Sequence, residues 1–449
     1  MPTTIRTKLL LISLLLVLGG CAVRPPSGVA DLERYPQDAA AYLPADAATV
    51  PLVPPDVQAR LDVRWNERFF APWGQKRASL PAADAFWGVA SYGSRQGYAE
   101  NLQPLGKERW QQLIASLQRE SYPSLARPAI TVRNTACRVF PTFRPFFLDP
   151  ARAGEGFPFD YFQNSALWTG TPVLVTHESA DGAWFFVETG FVAGWLPVQD
   201  VAWADETFRA AYRTGRYAAL LRDNVTLRGD TGDFLTLTHI GAVFPVAGEE
   251  AGGLQLLVPV RDAGGNAVIR SAMATPEQAA VKPLPLQRQH IAGLANRMLG
   301  QLYGWGGLFE NRDCSATLRD LFTPFGIWLP RNSGEQAKGG GTFHDLEGLA
   351  VEEKRSRLLG EGIPYYTLVS FKGHIGLYLG ADPASGEPLL LHNLWGVRTM
   401  DRHGREGRAV VGRLAITSLR PGEERHDVEA GRFYRGILGM TILPGGAAH

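Results

Sequence analysis

The spacing of apolar positions in the C-terminal third of the chain changes twice. Ile291, Leu294, Ala295, Met298 and Leu302 recur at helical intervals. The pair Gly306-Gly307 is expected to stop that helix. Asp313 and Ser315 are favourable first-turn residues, and 316–322 continues as a second helix, which sets Cys314 at a helix N-terminus. From 372 to 380 the period becomes two, the mark of a strand, and 387–392 is an apolar run that follows the turn residues 382–386. A hairpin of these two segments centred near Pro383 sets His374 opposite His392, and directly opposed residues share a face.

The upstream pattern divides the rest of the chain. Trp110, Leu113, Ile114 and Leu117 follow helical spacing within 61–126, a helical, irregular N-terminal domain whose aromatic patch Phe69, Phe70 and Trp73 needs a surface to pack on. Short strands at 172–176, 184–187 and 194–197, with the hairpin turn Asp181-Gly182, make 127–205 a small β-barrel of SH3 type. Strands at 235–239, 242–246, 254–260 and 267–269 make 206–283 a second one. Residues 284–449 combine helices with a later sheet, to which 408–417 and 441–443 add strands, an α+β pattern. The fold class is therefore multidomain, with an α+β domain at the C-terminus preceded by two SH3-like barrels and a helical N-terminal domain.

The N-terminus is different in kind. Arg6 and Lys8 precede an apolar run at 9–18 that is too short to span a bilayer, followed by Leu18-Gly19-Gly20-Cys21. This reads as a lipoprotein signal peptide over 1–20, with Cys21 lipidated as the mature N-terminus and Ala22 pointing to an outer membrane facing the periplasm in a Gram-negative cell. Two acyl chains would anchor it stably. Seven prolines between Pro25 and Pro55 make 21–60 an extended, poorly packed tether.

Composition mostly excludes. A net charge of +1 gives no electrostatic case for nucleic acid. There is no HExxH, no Cys-x-x-Cys and no His/Asp cluster at metal spacing, so neither metal nor cofactor is expected. Gly339-Gly340-Gly341 lacks the residues of a phosphate loop, and 352–357 reads as a charged, solvated helix face. Of three cysteines, Cys21 is taken by lipid, Cys137 is expected buried and free, and Cys314 remains. A thiol at a helix N-terminus is favoured as thiolate, and an imidazole able to take its proton, held by a second polar group, completes the logic of covalent acyl transfer.

The set Tyr303-x-Trp305-Gly306-Gly307, Asp313-Cys314-Ser315, Arg331-Asn332-Ser333-x-x-Gln336, 373–380 with His374, and His392-Asn393-x-Trp395-Gly396 resembles the NlpC-type cell-wall cysteine peptidases, in the branch that carries bacterial SH3 domains. The resemblance implies a papain-like domain that cuts peptidoglycan stem peptides between γ-linked D-glutamate and a diamino acid, and a helical N-terminal domain that braces the peptidase. It implies Cys314 as nucleophile, His374 as base and then acid, and His392 as the group that orients His374. It gives Asp313, Ser315, Tyr303 and Ser333 as substrate contacts. A non-catalytic peptidoglycan-binding lipoprotein and an acyltransferase on the same core are the competing readings. In relatives a Tyr of the first SH3 module, with acidic partners, receives the free amine of the stem. Phe191 is expected where that Tyr stands, and Asn332 replaces a family Asp, so tolerance of glycan-linked stems is expected unless Glu188 or Glu155 supplies the charge. A monomer is expected.

Overall fold

The computed structural model describes residues 28–446. The expected signal peptide and Cys21 lie outside the described residues. The expected tether does not survive from Gly28 onward. Asp31–Arg34 and Ala39–Tyr42 form helical turns, and Tyr35, Ala39, Tyr42 and Val53 are buried in the core of the C-terminal domain. Asp31 Oδ2 accepts from the backbone and hydroxyl of Ser418, both at 2.7 Å, and Tyr365 donates its hydroxyl to the Ala39 carbonyl. The prolines suggested an extended chain, yet the apolar residues between them find a groove, and Asp38 caps the second turn. Pro55, rather than extending a tether, opens the 16-residue helix Pro55–Phe70, a position where its missing N–H costs nothing.

Among the described residues the N-terminal helices have no core separate from the barrels. Trp65, Phe69, Phe70 and Trp73 pack with Phe208, Tyr212 and Tyr217. Trp73 Nε1 donates to the Ala129 carbonyl at 2.7 Å. Phe86, Tyr92, Leu113 and Leu117 pack instead against Phe140, Phe162, Phe186 and Trp195. Each aromatic face therefore braces a barrel.

The first barrel is a seven-stranded antiparallel sheet running from Arg127–Thr131 to Val201–Trp203. Cys137 is wholly buried in it as a free thiol. The second runs from Tyr217–Leu220 to Ala279–Val281, five strands with a separate pair, Val225–Arg228 and Phe234–Thr238.

The C-terminal domain sets the helices Arg288–Met298 and Cys314–Phe322 against a six-stranded antiparallel sheet. Its order is Thr342–Asp345, Ile437–Ile442, Thr367–Phe371, His374–Ala381, Pro388–Met400, Glu406–Ser418. Leu377, Leu379 and Leu391 share the core cluster of Cys314 and Leu318, while Val369, Tyr378 and Leu390 belong to a second cluster with Leu358. The first helix ends at Met298, not Leu302, because Gly300 turns the chain at φ +80° and leaves Leu302 63% exposed. The helix Val351–Glu361 is not a wholly solvated face. Lys354 is buried beside Leu358, one turn on, and its ammonium donates to the Arg435 and Ile437 carbonyls. Among the described residues no helix is long and apolar enough to cross a membrane.

Candidate active site

Cys314 is the first residue of its helix, and Asp313 is the N-cap, its Oδ1 accepting from Ala316 N at 2.8 Å. The same carboxylate also accepts from the Ser315 hydroxyl, the Gly306 N–H and both terminal nitrogens of Arg331. Asp313 is thus engaged on every side within the protein. Its part in the site is to hold the Cys314 turn and the Tyr-x-Trp-Gly-Gly loop together. Burial raises its pKa, but the charge and forked hydrogen bonds of Arg331 outweigh this and keep it lowered.

That loop is docked on the first barrel. Gly306 and Gly307 have φ of +60° and +86°, and a Cβ on either would stand 2.3 Å from Gln163 O or 2.5 Å from Ala166 N. Only glycine meets both demands. The pair was expected to end a helix; its actual work is this close approach. On the other side, all five N–H donors of Arg312 are used: Nε on Asp320, Nη1 on Asp223 and Gln301, Nη2 on Asp223 and the Ile240 carbonyl. Asp223 and Ile240 belong to the second barrel, so both barrels grip the segment just before Cys314.

The histidines meet, by a different register from the one expected. Leu377 pairs with Leu391, which sets Gly376 beside His392. The hairpin is shifted by two residues, an even number, so His374 stays on the same face. Its ring reaches diagonally: His374 Nε2 lies 2.8 Å from His392 Nδ1, and His392 Nε2 lies 2.9 Å from Thr417 Oγ1. His374 Nδ1 has no hydrogen-bond partner among the described residues.

Burial governs the charges. It pushes the Cys314 thiol up to about 12, helped by the Asp313 carboxylate and opposed by the Ile375 N–H. It holds His374 down to about 4 and His392 well below its ordinary value. A thiol lowered by the helix N-terminus was expected; desolvation and the Asp313 carboxylate raise it more than Arg331 and the Ile375 and Ser315 N–H groups lower it.

A cavity of about 300 Å³ has His374 in its wall together with Phe371 and Phe433. A neighbouring one of about 250 Å³, reaching Gly373, holds Cys314, Tyr303, Asp313, Ser315, Asn332 and Ser333 in its walls. Tyr303 is strongly shifted upward by burial, then by Cys314 and Asp313. Ser333 begins a short helix whose N-cap is Asn332. Phe191 is not in these walls. Arg319 lies over its ring at 3.5 Å, and Trp328 is beside it. The expected equivalence fails because the turn at 189–192 closes on itself through the Thr189 hydroxyl and carries Phe191 behind the Cys314 helix. Glu188 is also unavailable: it accepts from the backbone and hydroxyl of Ser79. The first barrel instead contributes Tyr161, Gln163 and Asn164, and the N-terminal helices contribute Trp87 and Tyr92. Sequence reasoning missed these five. The one available signal was the crowding of aromatics at 157–162.

Family models match in the same order as the folded units. An N-terminal stabilising domain of NlpC/P60 proteins matches residues 9–122, an SH3 domain of SH3b1 type 145–197, an SH3 domain of SH3b2 type 205–251, and the NlpC/P60 family itself 300–404. The chain carries an NlpC/P60 domain behind that family's N-terminal stabilising domain and two SH3 domains. Among solved structures, this chain is similar to an endopeptidase of that family from Photobacterium damselae subsp. piscicida, with 26% identity and a TM-score of 0.83, over 92% of this chain and 98% of that one. A family protein from Bacillus cereus ATCC 10987 matches at 16% identity and a TM-score of 0.48, over 71% of this chain and all of that one. No curated protein matches.

Proposed function

We propose that this protein is a cysteine endopeptidase of peptidoglycan that hydrolyses the bond between γ-linked D-glutamate and the diamino acid of stem peptides. The observation that supports it most is the placement of Cys314 at a helix N-terminus in the wall of a cavity, next to a strand whose His374 is already engaged through Nε2 by His392. Because desolvation raises the buried Cys314 thiol and lowers the half-buried His374 imidazole, the resting pair is thiol and neutral imidazole. His374 Nδ1 takes the Sγ proton as sulfur attacks the carbonyl carbon. The Cys314 N–H, free at the first helical position, stabilises the oxyanion. Collapse breaks the C–N bond, the His374 proton goes to the leaving amine, and water, deprotonated by His374, releases the acid from the thioester.

The cavity takes one wall from the first barrel, which suits a short peptide better than a long strand of wall. Tyr161, with Glu155 close enough to raise its pKa after burial, is the residue on that wall able to meet a free stem amine. We read the chain further as a monomer exported by residues 1–20, acylated at Cys21 and held at the envelope membrane.

The test is digestion of purified sacculi and of isolated stem peptides by the mature protein, with products identified by mass spectrometry. New γ-D-glutamyl ends and free diamino acid ends are expected, and Cys314→Ala is expected to lower the rate at least ~10³-fold with an unchanged thermal melt. Full activity in Cys314→Ala would sink the peptidase reading. Ends joined to an added amine instead of water would indicate acyl transfer.

A further inference from the structure

The direction of the hydrogen bonds behind His392 decides which nitrogen of His374 is a base. Thr417 has one hydroxyl proton, and it is given to the Ser418 carbonyl at 2.8 Å. Its oxygen therefore meets His392 Nε2, 2.9 Å away, as an acceptor, and Nε2 must carry the hydrogen. His392 Nδ1 is then a bare lone pair and accepts from His374 Nε2–H across 2.8 Å. His374 Nδ1 is left unprotonated. Reversing the Thr417 proton would reverse every step and leave His374 with a hydrogen on Nδ1, unable to take one from Cys314.

Resting on the peptidase reading, we propose that Thr417 is a positioning residue for catalysis, whose hydroxyl, fixed by the Ser418 carbonyl, selects the tautomer of the His392–His374 pair. The setting is rigid. Thr417 and His392 are almost wholly buried, so water does not substitute for the hydroxyl. Ser418 is itself pinned, its N–H and its hydroxyl both donating to Asp31 Oδ2 at 2.7 Å. The strap at residues 28–35 thus fixes the strand end that fixes Thr417. An orienting group in a catalytic triad acts in the same way, and replacing it with one that favours the wrong tautomer costs orders of magnitude in rate while leaving the geometry intact. The substrate does not touch Thr417, so the effect belongs on kcat and not on KM.

The test compares Thr417→Val, of nearly the same shape but without the hydroxyl, with Thr417→Ser, which keeps it, in the full chain, with Cys314→Ala as the reference. With a stem tetrapeptide, Thr417→Val is expected to lower kcat by roughly 10- to 100-fold with KM changed less than about threefold, and Thr417→Ser to recover most of the loss. Nitrogen-15 spectra of the labelled histidines read the tautomer directly. His392 should be protonated on Nε2 in the native protein and shift toward Nδ1 in Thr417→Val. A native His392 protonated on Nδ1 overturns the proposal, as does Thr417→Val within about twofold of native kcat while Cys314→Ala is inactive. Should Cys314→Ala be active, the peptidase reading fails, and the spectra alone decide whether Thr417 sets the tautomer. Thermal melts of both variants separate loss of the tautomer from loss of the fold.

Discussion

Burial disfavours the charge on Cys314 and on His374 alike, and this has a kinetic consequence and a thermodynamic one. With the thiol at about 12 and the imidazole at about 4, thiolate forms only when a proton is moved during attack. Alkylation of Cys314 by iodoacetamide should therefore climb about tenfold per pH unit through pH 9. A rate already level below pH 7 would reveal a preformed thiolate–imidazolium pair and contradict this. Cys137, wholly buried and raised to about 12 by desolvation, should not react until unfolding. The thermodynamic consequence follows from the histidines. His374 and His392 take up protons near 6.5 when unfolded, but only at lower pH when folded. Their stabilisation is complete above pH ~6.5 and is lost as pH falls toward ~4, by up to about 3 kcal/mol for His374. His239 opposes it, since burial lowers its pKa but Asp223 and Glu310 raise it more. A His392→Asn variant should show a shallower fall of Tm between pH 7 and 4.5 than the native protein; an unchanged slope would mean that His392 is not the buried neutral group described.

At the scale of elements, the segment before Cys314 is held from two sides, and each side can be loosened separately. Gly307→Ala forces a side chain into left-handed backbone with its Cβ against Ala166 N. A cost of about 1–3 kcal/mol is expected, with activity falling together with stability as the loop lifts off the first barrel. Arg312→Met takes both hydrogen-bonded ends of its guanidinium from the half-buried Asp223 and leaves the buried Asp320 with Arg319 as its remaining guanidinium. Removing one partner of such a cluster costs about 3–5 kcal/mol, which urea unfolding would register. A melt equal to native would show that the second barrel is held by its apolar contacts alone. Much at this scale was legible in the sequence. The Asp313 cap and the Cys314 helix follow from local chemistry, because capping needs only neighbouring residues. The hairpin with both histidines was legible in its face but not in its register, since strand pairing allows an even shift at no local cost. Gly306 and Gly307 were misjudged because the barrel that requires them lies some 140 residues upstream.

The whole molecule makes the cavity, and long-range contacts were what the sequence hid. Residues 28–60 read as a tether because proline content is local, while the groove that receives Tyr35 and Tyr42 is assembled from the far end of the chain. Phe191 read as a cleft residue because it precedes Gly194-Trp195, yet the fold carries it behind the Cys314 helix and brings Tyr161 forward. This changes the expected selectivity. Tolerance of glycan-linked stems rested on two lost contacts, Phe191 and Asn332; only Asn332 remains in the wall. Among the described residues the Tyr161 hydroxyl donates no hydrogen bond within the protein, and Glu155 supplies negative charge nearby that outweighs the Arg95 guanidinium. A buried ammonium that loses such a partner loses about 2–5 kcal/mol. The protein should therefore prefer the free tetrapeptide over its muramyl-linked form by about 100-fold in kcat/KM, equivalent to ~2.7 kcal/mol. Tyr161→Phe should reduce that preference mainly by weakening the free peptide. Phe191→Tyr should leave it unchanged, since that ring lies against Arg319 and not in the cavity. Equal kcat/KM for the two substrates in the native protein, or a preference moved by Phe191→Tyr and not by Tyr161→Phe, would return the selectivity to the residue the sequence suggested.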